Sequence, residues 1–557
     1  MAGLASLRRR PWRISCAAVQ TVNTDFPLPR GEAAPNRASL GWRAAAFFSA
    51  GYDRLADRWR GRWPILLERL VTVAGIAIGA GWLLALFLPH IRVIAQPGPV
   101  EYNEPAIWHA TYLLDQGRNP YTAEELPGAA YCFSPLYNFV VLAFKPLLGL
   151  DYSAHRTVNL IFIAASILLI VRLMVRSGAG LGIGMMTAAL FYWMCLRNIM
   201  ITARPDALGL FFFLLGLFVP WEHNYARWPS IIGLACALVA FQCKFYFAVA
   251  GCATLLGVFM VRSKREGCWL GVAYFSALGL SFLGFWLAFP FYFIETVVVQ
   301  RAAAVLNNRS DISAMHMVMF LERSWPFLLL MLGGLAAWFW RRSVARRTGP
   351  LVAAGKSRWS PDRIVASRNE VLGAVFLIFV TLVFFYMGRN AGALFTYHLH
   401  LLFPLMFVLG AQVLTRPWLR IGFGVLLAIF VMFRLEIPEV PDAAAPYRRM
   451  EDLILQARGE VLGIPCVTDI LDRTGRRVLH NGNTMFLGFA LANNRAAWDP
   501  LAALIDRKFH EMEVEVTAKV SARAYVMVFS EFDVPDFCDE AVLRKYYEKV
   551  ERVDYFT

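Results

Sequence analysis

Glu101 and Glu104 stand three residues apart in Glu101-Tyr-Asn-Glu104-Pro105, directly after the first long apolar run of the chain. Two carboxylates at the mouth of a loop can share acid–base work, or one can take the proton of a hydroxyl that then acts as a nucleophile. Asn103 is suited to cap a helix beginning at Pro105, a favoured first-turn residue, and Gly117 suits its C-terminal turn. Glu104 then lies at the helix N-terminus, where the dipole favours its ionised form. Ile107, Ala110 and Leu114 share one stripe flanked by Trp108 and Tyr112, which predicts a helix resting at a membrane interface. A plainer alternative stands beside the catalytic one: Glu104 complements the helix dipole and Glu101 is solvated.

Two other places carry charge where charge is costly. In Thr202-Ala-Arg204-Pro-Asp206-Ala-Leu, Asp206 can cap a helix running from 207, whose positive end attracts phosphate, and Arg204 adds a cation. Capping alone would also account for Asp206. Lys244, in Phe241-Gln-Cys-Lys244-Phe, lies between two short apolar halves, where it either snorkels to the interface or neutralises a lipid phosphate. Tyr397, His398 and His400 could line an acceptor or lipid groove, while His316, Asp311 and Glu322 have no metal-ligand spacing. The nine cysteines form no Cys-x-x-Cys pair; most read as packing residues, and Cys466 with Cys538 could form a disulfide if their domain is extracytoplasmic.

The elements that must position these residues are mostly apolar. Of 557 residues, 58% are hydrophobic and 17% charged, with a mean hydropathy of +0.49. Soluble domains carry about a quarter charged residues, so the deficit predicts an all-α polytopic membrane protein. The net charge of +15 is no sign of nucleic acid, because the basic residues gather between apolar runs, as the positive-inside rule expects. Spans are expected near 65–90, 156–175, 183–203, 207–221, 229–243, 245–261, 269–293, 326–340, 371–387, 398–414 and 418–435. Arg172 and Arg176, the Arg262–Arg265 cluster, the 341–368 loop and Arg416 with Arg420 can all be cytoplasmic only if the apolar 133–150 segment stays shallow or re-entrant.

That parity gives eleven full spans, with the N-terminus inside and the C-terminus outside. It brings Glu101, Glu104, Asp206, Lys244, the 294–325 loop and the 388–397 turn to the outer face. The expected organisation is a basic cytoplasmic tail over 1–62, a membrane domain over 63–437 and a small extracytoplasmic α/β domain over 438–557. Amphipathic segments at Tyr447–Arg458, Asp499–Glu511 and Glu540–Val553, with a β-type run at Ala524–Phe529, support the last.

With these motifs in place, the chain resembles the GT-C superfamily of polytopic glycosyltransferases, including its protein mannosyltransferase and lipid A aminoarabinose transferase branches. The resemblance rests on Asn103-Glu104-Pro105 with Gly117-x-x-Pro120-Tyr121, Tyr131-x-x-Ser-Pro135-Leu136 and Arg204-Pro-Asp206. It continues through the break at Lys244, Gly392 to His400, and an outer C-terminal domain. It implies an inverting transfer of a sugar from a polyprenyl-phosphate donor to a hydroxyl of a glycan, glycolipid or protein outside a bacterial inner membrane. Many members show an Asp-Glu pair in the first loop. Here Asn103 precedes Glu104, and the base is expected to be Glu104, with Glu101 as the second candidate. Arg204, Asp206, Lys244, Tyr121, Tyr397, His398 and His400 are the expected substrate contacts. Arg301 or Arg389 could join Arg204 and Lys244 in holding the phosphate. A divalent metal near Glu101, Glu104 and Asp206 is compatible with the resemblance, without a ligand signature of its own. A transporter or flippase shares the apolar bulk, but such proteins often show internal repeats, and none is evident. A membrane scaffold or sensor would leave the outer carboxylates without a role.

Overall fold

Hydrocarbon offers no partner for a backbone N–H or C=O, so apolar runs in a membrane chain satisfy those groups within helices. The computed structural model describes residues 63–101, 103–126, 128–197, 200–299, 310–347, 367–388, 401–440, 442–463, 465–479, 481, 499–522 and 524–528. Its helices are α1 (Trp63–Ile94), α2 (Glu104–Asp115), α3 (Leu136–Leu148), α4 (Tyr152–Arg176), α5 (Leu181–Arg197), α6 (Asp206–Glu222) and α7 (Arg227–Cys243). A 3₁₀ turn at Phe245–Ala248 leads into α8 (Val249–Gly257), followed by α9 (Lys264–Ala288), α10 (Ser310–Arg347), α11 (Arg368–Gly388), α12 (Leu402–Ala411) and α13 (Pro417–Arg434).

Six of the described helical segments are long and apolar enough to cross a membrane: Trp63–Ile94, Tyr152–Arg176, Phe245–Arg262, Lys264–Ala288, Ala314–Ala336 and Pro417–Arg434. Among the described residues, helix length thus supports six of the eleven expected spans. Helices α3, α5, α7 and α12 are apolar but shorter. The 133–150 segment forms α3, whose 13 residues extend about 20 Å, short of a hydrocarbon core of about 30 Å. Large apolar side chains stand exposed along α1 (Leu84, Leu88) and α9 (Trp269, Val272, Leu280, Leu287), the surface a lipid chain would cover.

Close backbone contact places α1 against α5. A Cβ on Gly79 would meet the Met185 carbonyl carbon at 2.5 Å, and one on Gly182 would meet the Thr72 oxygen at 2.5 Å. This is the use of small residues expected where helices associate by packing alone. The contact is reinforced by His90 of α1, whose Nδ1 lies 2.8 Å from the Tyr192 hydroxyl of α5. It fixes the end of α1, from which the first loop departs.

Helix α2 is largely enclosed by the protein itself. Its residues Glu104 to Thr111 are all buried, the apolar ones within the protein, and the Trp108 indole donates to the Leu150 carbonyl at 2.8 Å. The aromatic flank expected to meet lipid headgroups is consumed by this internal bond and by Tyr112, stacked on Trp108 at 5.2 Å. Gly117 ends the helix with φ +72°, and the Arg118 N–H returns to the Leu113 carbonyl at 2.8 Å, as the sequence predicts for a glycine at that place.

Beyond Pro438 come α14 (Ala444–Gln456), β1 (Glu460–Leu462), α15 (Thr468–Arg473), α16 (Asp499–Ser521) and β2 (Tyr525–Val528). The strands pair in parallel, Val461 with Met527 and Leu462 with Val528, after a bulge beside Glu460. Tyr447, Met450 and Ile454 present one face of α14 to Val461, Ile470 and Leu471. The 1–62 tail, the Glu540–Val553 segment and Cys538 lie outside the described residues; Cys466 is buried with its Sγ 3.9 Å from Met450 Sδ.

Gly79→Leu should force α1 from α5 and lower stability by about 1–3 kcal/mol. A lower thermal midpoint of the purified protein, absent in Gly81→Leu where no atom lies within 4 Å of the added Cβ, checks this.

Candidate active site

The first loop is organised by an arginine. Asp151 caps α4 by accepting from Ala154 N at 2.8 Å, which starts the helix so that Arg156 faces Glu104. Arg156 Nε and Nη2 donate to Glu104 Oε1 and Oε2 at 2.9 and 2.7 Å. Nη1 donates to the carbonyls of Val93 and Gln96 at 2.9 and 2.8 Å, and Nη2 to that of Gly98 at 2.7 Å. A guanidinium has five N–H groups, and all five are engaged. Glu104 also accepts from Ala203 N and Val100 N, each at 2.6 Å. Neither side chain has exposed surface.

Burial alone would raise the Glu104 carboxyl. The Arg156 charge and hydrogen bonds, with the N–H groups of Ala203 and Val100, outweigh it and hold the group below the usual glutamate range. About four lone-pair sites on a carboxylate are thus filled by four donors. Glu104 knits the end of α1, α2, α4 and the loop before α6 into one node.

A second array adjoins it. Glu101 accepts from Asn103 N at 3.1 Å and from Asn103 Nδ2 at 2.8 Å. The Asn103 side chain therefore turns back to Glu101 and makes no cap bond to α2, contrary to the expectation. Arg204 Nη1 lies 3.3 Å from Glu101 Oε1, and Arg204 Nε lies 3.1 Å from Asp206 Oδ2. Lys244 Nζ lies 2.7 Å from Asp206 Oδ1. Pro205 takes the N-cap position of α6, so Asp206, expected to cap, is its first helical residue, and its oxygens serve the two cations.

Carboxylate, guanidinium, carboxylate and ammonium thus form one chain drawn from three distant segments. Lys244 sits where α7 breaks, in extended conformation at φ −154° and ψ 134°. Its ammonium lies 5.5 Å from the Phe133 ring centre and 5.9 Å from that of Tyr246. Asn159 Nδ2 donates to the carbonyls of Thr202 and, at 2.9 Å, Arg204, which secures the loop bearing Arg204. For Glu101, burial is the largest influence and raises its carboxyl above the ordinary value; the Glu104 charge adds to this, while Arg204 and the Asn103 hydrogen bonds oppose it. The two first-loop glutamates are therefore pushed in opposite directions.

Behind these charges runs a polar network. Tyr131 O–H donates to Asn138 Oδ1 at 2.7 Å, and Asn138 Nδ2 to Thr111 Oγ1 at 2.7 Å. Thr111 Oγ1 is 2.9 Å from His155 Nε2, and His155 Nδ1 is 2.9 Å from the Asp151 carbonyl. A carbonyl only accepts, so Nδ1 carries the proton and Nε2 accepts from Thr111. The network locks α2 to α3 and α4. On the opposite side of α2, His109 Nδ1 contacts Asp472 of α15.

Glu101, Arg204, Asp206 and Lys244 are thus brought together, with Glu104 adjoining through the N–H groups of Val100 and Ala203. Tyr121 stands one step behind: it is buried, and its hydroxyl donates to the Phe133 carbonyl. Tyr397, His398, His400, Arg301 and Arg389 lie outside the described residues. Arg156 escaped the sequence reading. A charged residue at the start of an apolar run, needing a buried carboxylate, is the signal that points to it. As for a divalent metal, no three His, Cys, Asp or Glu side chains converge among the described residues. The oxygens of Glu104 and Asp206 already face cations or N–H groups, so this donor set does not fit such an ion, and no step below uses one.

Glu104→Gln or Arg156→Met should cost about 3–5 kcal/mol, the penalty for leaving one member of a buried pair alone. The double change Glu104→Leu with Arg156→Leu should not restore the loss, because three carbonyls and two N–H groups lose their partners. Thermal midpoints of the three variants and wild type check this; a wild-type midpoint in Glu104→Gln would contradict a structural role.

No family model matches the chain, and no curated protein matches it. Among solved structures, ArnT from Cupriavidus metallidurans bound to undecaprenyl phosphate is similar with 15% identity and a TM-score of 0.36, over 89% of this chain and 87% of that one. The apo state of the same protein gives 15% identity and a TM-score of 0.33, over 89% and 86%.

Proposed function

We propose that the chain is an inverting glycosyltransferase that moves a sugar from a polyprenyl-phosphate donor to an acceptor hydroxyl at the membrane surface. The observation that carries this is the connected array Glu101–Arg204–Asp206–Lys244. It sets a carboxylate with a raised pKa beside two cations, in a protein with membrane-spanning helices. Undecaprenyl phosphate, present in one of the similar structures, is the lipid class to try first.

In this reading Glu101 is the base, in place of Glu104, whose acceptor sites are filled. The acceptor oxygen attacks the anomeric carbon as its proton passes to Glu101. The bond from that carbon to the phosphate oxygen breaks, and the lipid phosphate leaves with the electron pair. Phosphate is a good leaving group, so no strong general acid is required, in contrast to glycoside hydrolysis with its paired carboxylates. Arg204 and Lys244 stabilise the charge that gathers on the phosphate. Asp206 holds both cations in place until the donor arrives. The acceptor is a hydroxyl of a glycan, glycolipid or protein.

Because Glu101 must be ionised to act, kcat/KM should rise with pH along a limb above the ordinary glutamate range. Removing the Arg204 charge takes away an influence that favours the carboxylate, so Arg204→Met should move that limb to higher pH as well as weaken donor use. Glu101→Gln should lower kcat by about 10²–10⁴-fold with an unchanged thermal midpoint. Turnover of radiolabelled polyprenyl-phosphate sugars with envelope extract as acceptor checks these outcomes. Full activity of Glu101→Gln would remove it as the base.

A further inference from the structure

The backbone from Ala130 to Pro135 lacks regular structure, so its polar groups depend on side chains from elsewhere. Asn481 Nδ2 donates to the Ala130 carbonyl at 2.9 Å. The Tyr131 N–H donates to Glu295 Oε2 at 2.6 Å. Two residues on, the Phe133 carbonyl accepts from the Tyr121 hydroxyl. These bonds hold the short stretch whose next aromatic ring, Phe133, lies against the Lys244 ammonium at 5.5 Å.

Glu295 is the unusual member. It lies in a turn of π-helix at Ile294–Val299, a conformation often found at functional sites. It is 1% exposed, and its Oε1 is buried without a hydrogen-bond partner among the described residues. Burial pushes its carboxyl well above the ordinary value, and the bond from Tyr131 N opposes this. A buried carboxyl with one unsatisfied oxygen is destabilising compared with an apolar side chain. Core packing does not account for it. Holding the Tyr131 N–H does.

We propose that Glu295 is a positioning residue for the phosphate-holding Lys244: by accepting from Tyr131 N it sets the 131–133 backbone, and with it the Phe133 ring against which the ammonium rests. Tyr121 performs the same task from the other end of that stretch. An ammonium on an aromatic face is held by about 1–2 kcal/mol when desolvated. Loss of the ring's placement removes one of the contacts that set how the ammonium, 2.7 Å from Asp206 Oδ1, faces a ligand. The inference rests on the glycosyltransferase reading for the identity of that ligand.

The test is binding of a polyprenyl phosphate to the purified full-length protein, with the corresponding polyprenol as competitor and Lys244→Met alongside. Glu295→Gln keeps a carbonyl acceptor for Tyr131 N and should bind within about twofold of wild type. Glu295→Leu should bind about tenfold more weakly. Tyr121→Phe, which removes only a hydroxyl, should weaken binding in the same direction and serves if Glu295→Leu does not fold. Folded Glu295→Leu or Tyr121→Phe protein that binds like wild type, while Lys244→Met does not, overturns the positioning role and leaves the function standing. If Lys244→Met binds as wild type does, or the polyprenol competes as well as the phosphate, the functional reading fails and the inference fails with it.

Discussion

Taking a guanidinium and a carboxylate out of water costs several kcal/mol for each ion, and the geometry around the first loop is the means by which Arg156 and Glu104 recover it. Nine hydrogen-bonding sites must be filled at once; the two bonds within the pair fill four, and backbone from three regions, 93–98, Val100 and Ala203, fills the other five. Each of those peptide groups is thereby fixed relative to α2 and α4. Glu101 follows directly on Val100 and Arg204 directly on Ala203, so the neighbours of the two groups gripped by Glu104 are the first pair of the second array. The inert ion pair thus sets the spacing of the adjoining one.

The two arrays together hold three carboxylates, Glu101, Glu104 and Asp206, and three cations, Arg156, Arg204 and Lys244. Formal charges cancel while all are ionised. Protonation of Glu101, which burial favours, leaves one positive charge in excess beside Arg204 and Lys244. An anion entering there would meet an attractive field at the moment the acid is neutral. Its presence would in turn oppose ionisation of Glu101, while departure of a proton-bearing product would reset the balance. Anion binding and the protonation of Glu101 are therefore coupled through Arg204.

Much of this was legible in the residues. The carboxylates before a proline, Arg204-Pro-Asp206 and the break at Lys244 were visible because each violates an apolar or helical context locally. Gly117 was readable for the same reason, since a positive φ has a residue preference. What escaped depends on partners far along the chain. Asn103 has the chemistry of a cap, but Glu101 competes for its amide and wins it. Asp206 has the same chemistry, and two cations claim it first. Trp108 and Tyr112 carry an interfacial pattern, yet carbonyls 42 and 360 positions away take their polar groups. Span number was obscured likewise: a hydropathy run does not say whether a 17-residue helix such as α5 is completed by tilt, by neighbours or not at all.

The bond between His109 of α2 and Asp472 of α15 joins residues 363 positions apart. A chain made from its N-terminus releases α2 long before α15 exists, at a synthesis rate of about 5–20 residues per second. For tens of seconds the helix beside Glu101 lacks one of its walls, while the membrane segments between are inserted in turn. A polypeptide stalled between residues 244 and 468 therefore carries the full set of carboxylates and cations without the contact that α15 makes to α2.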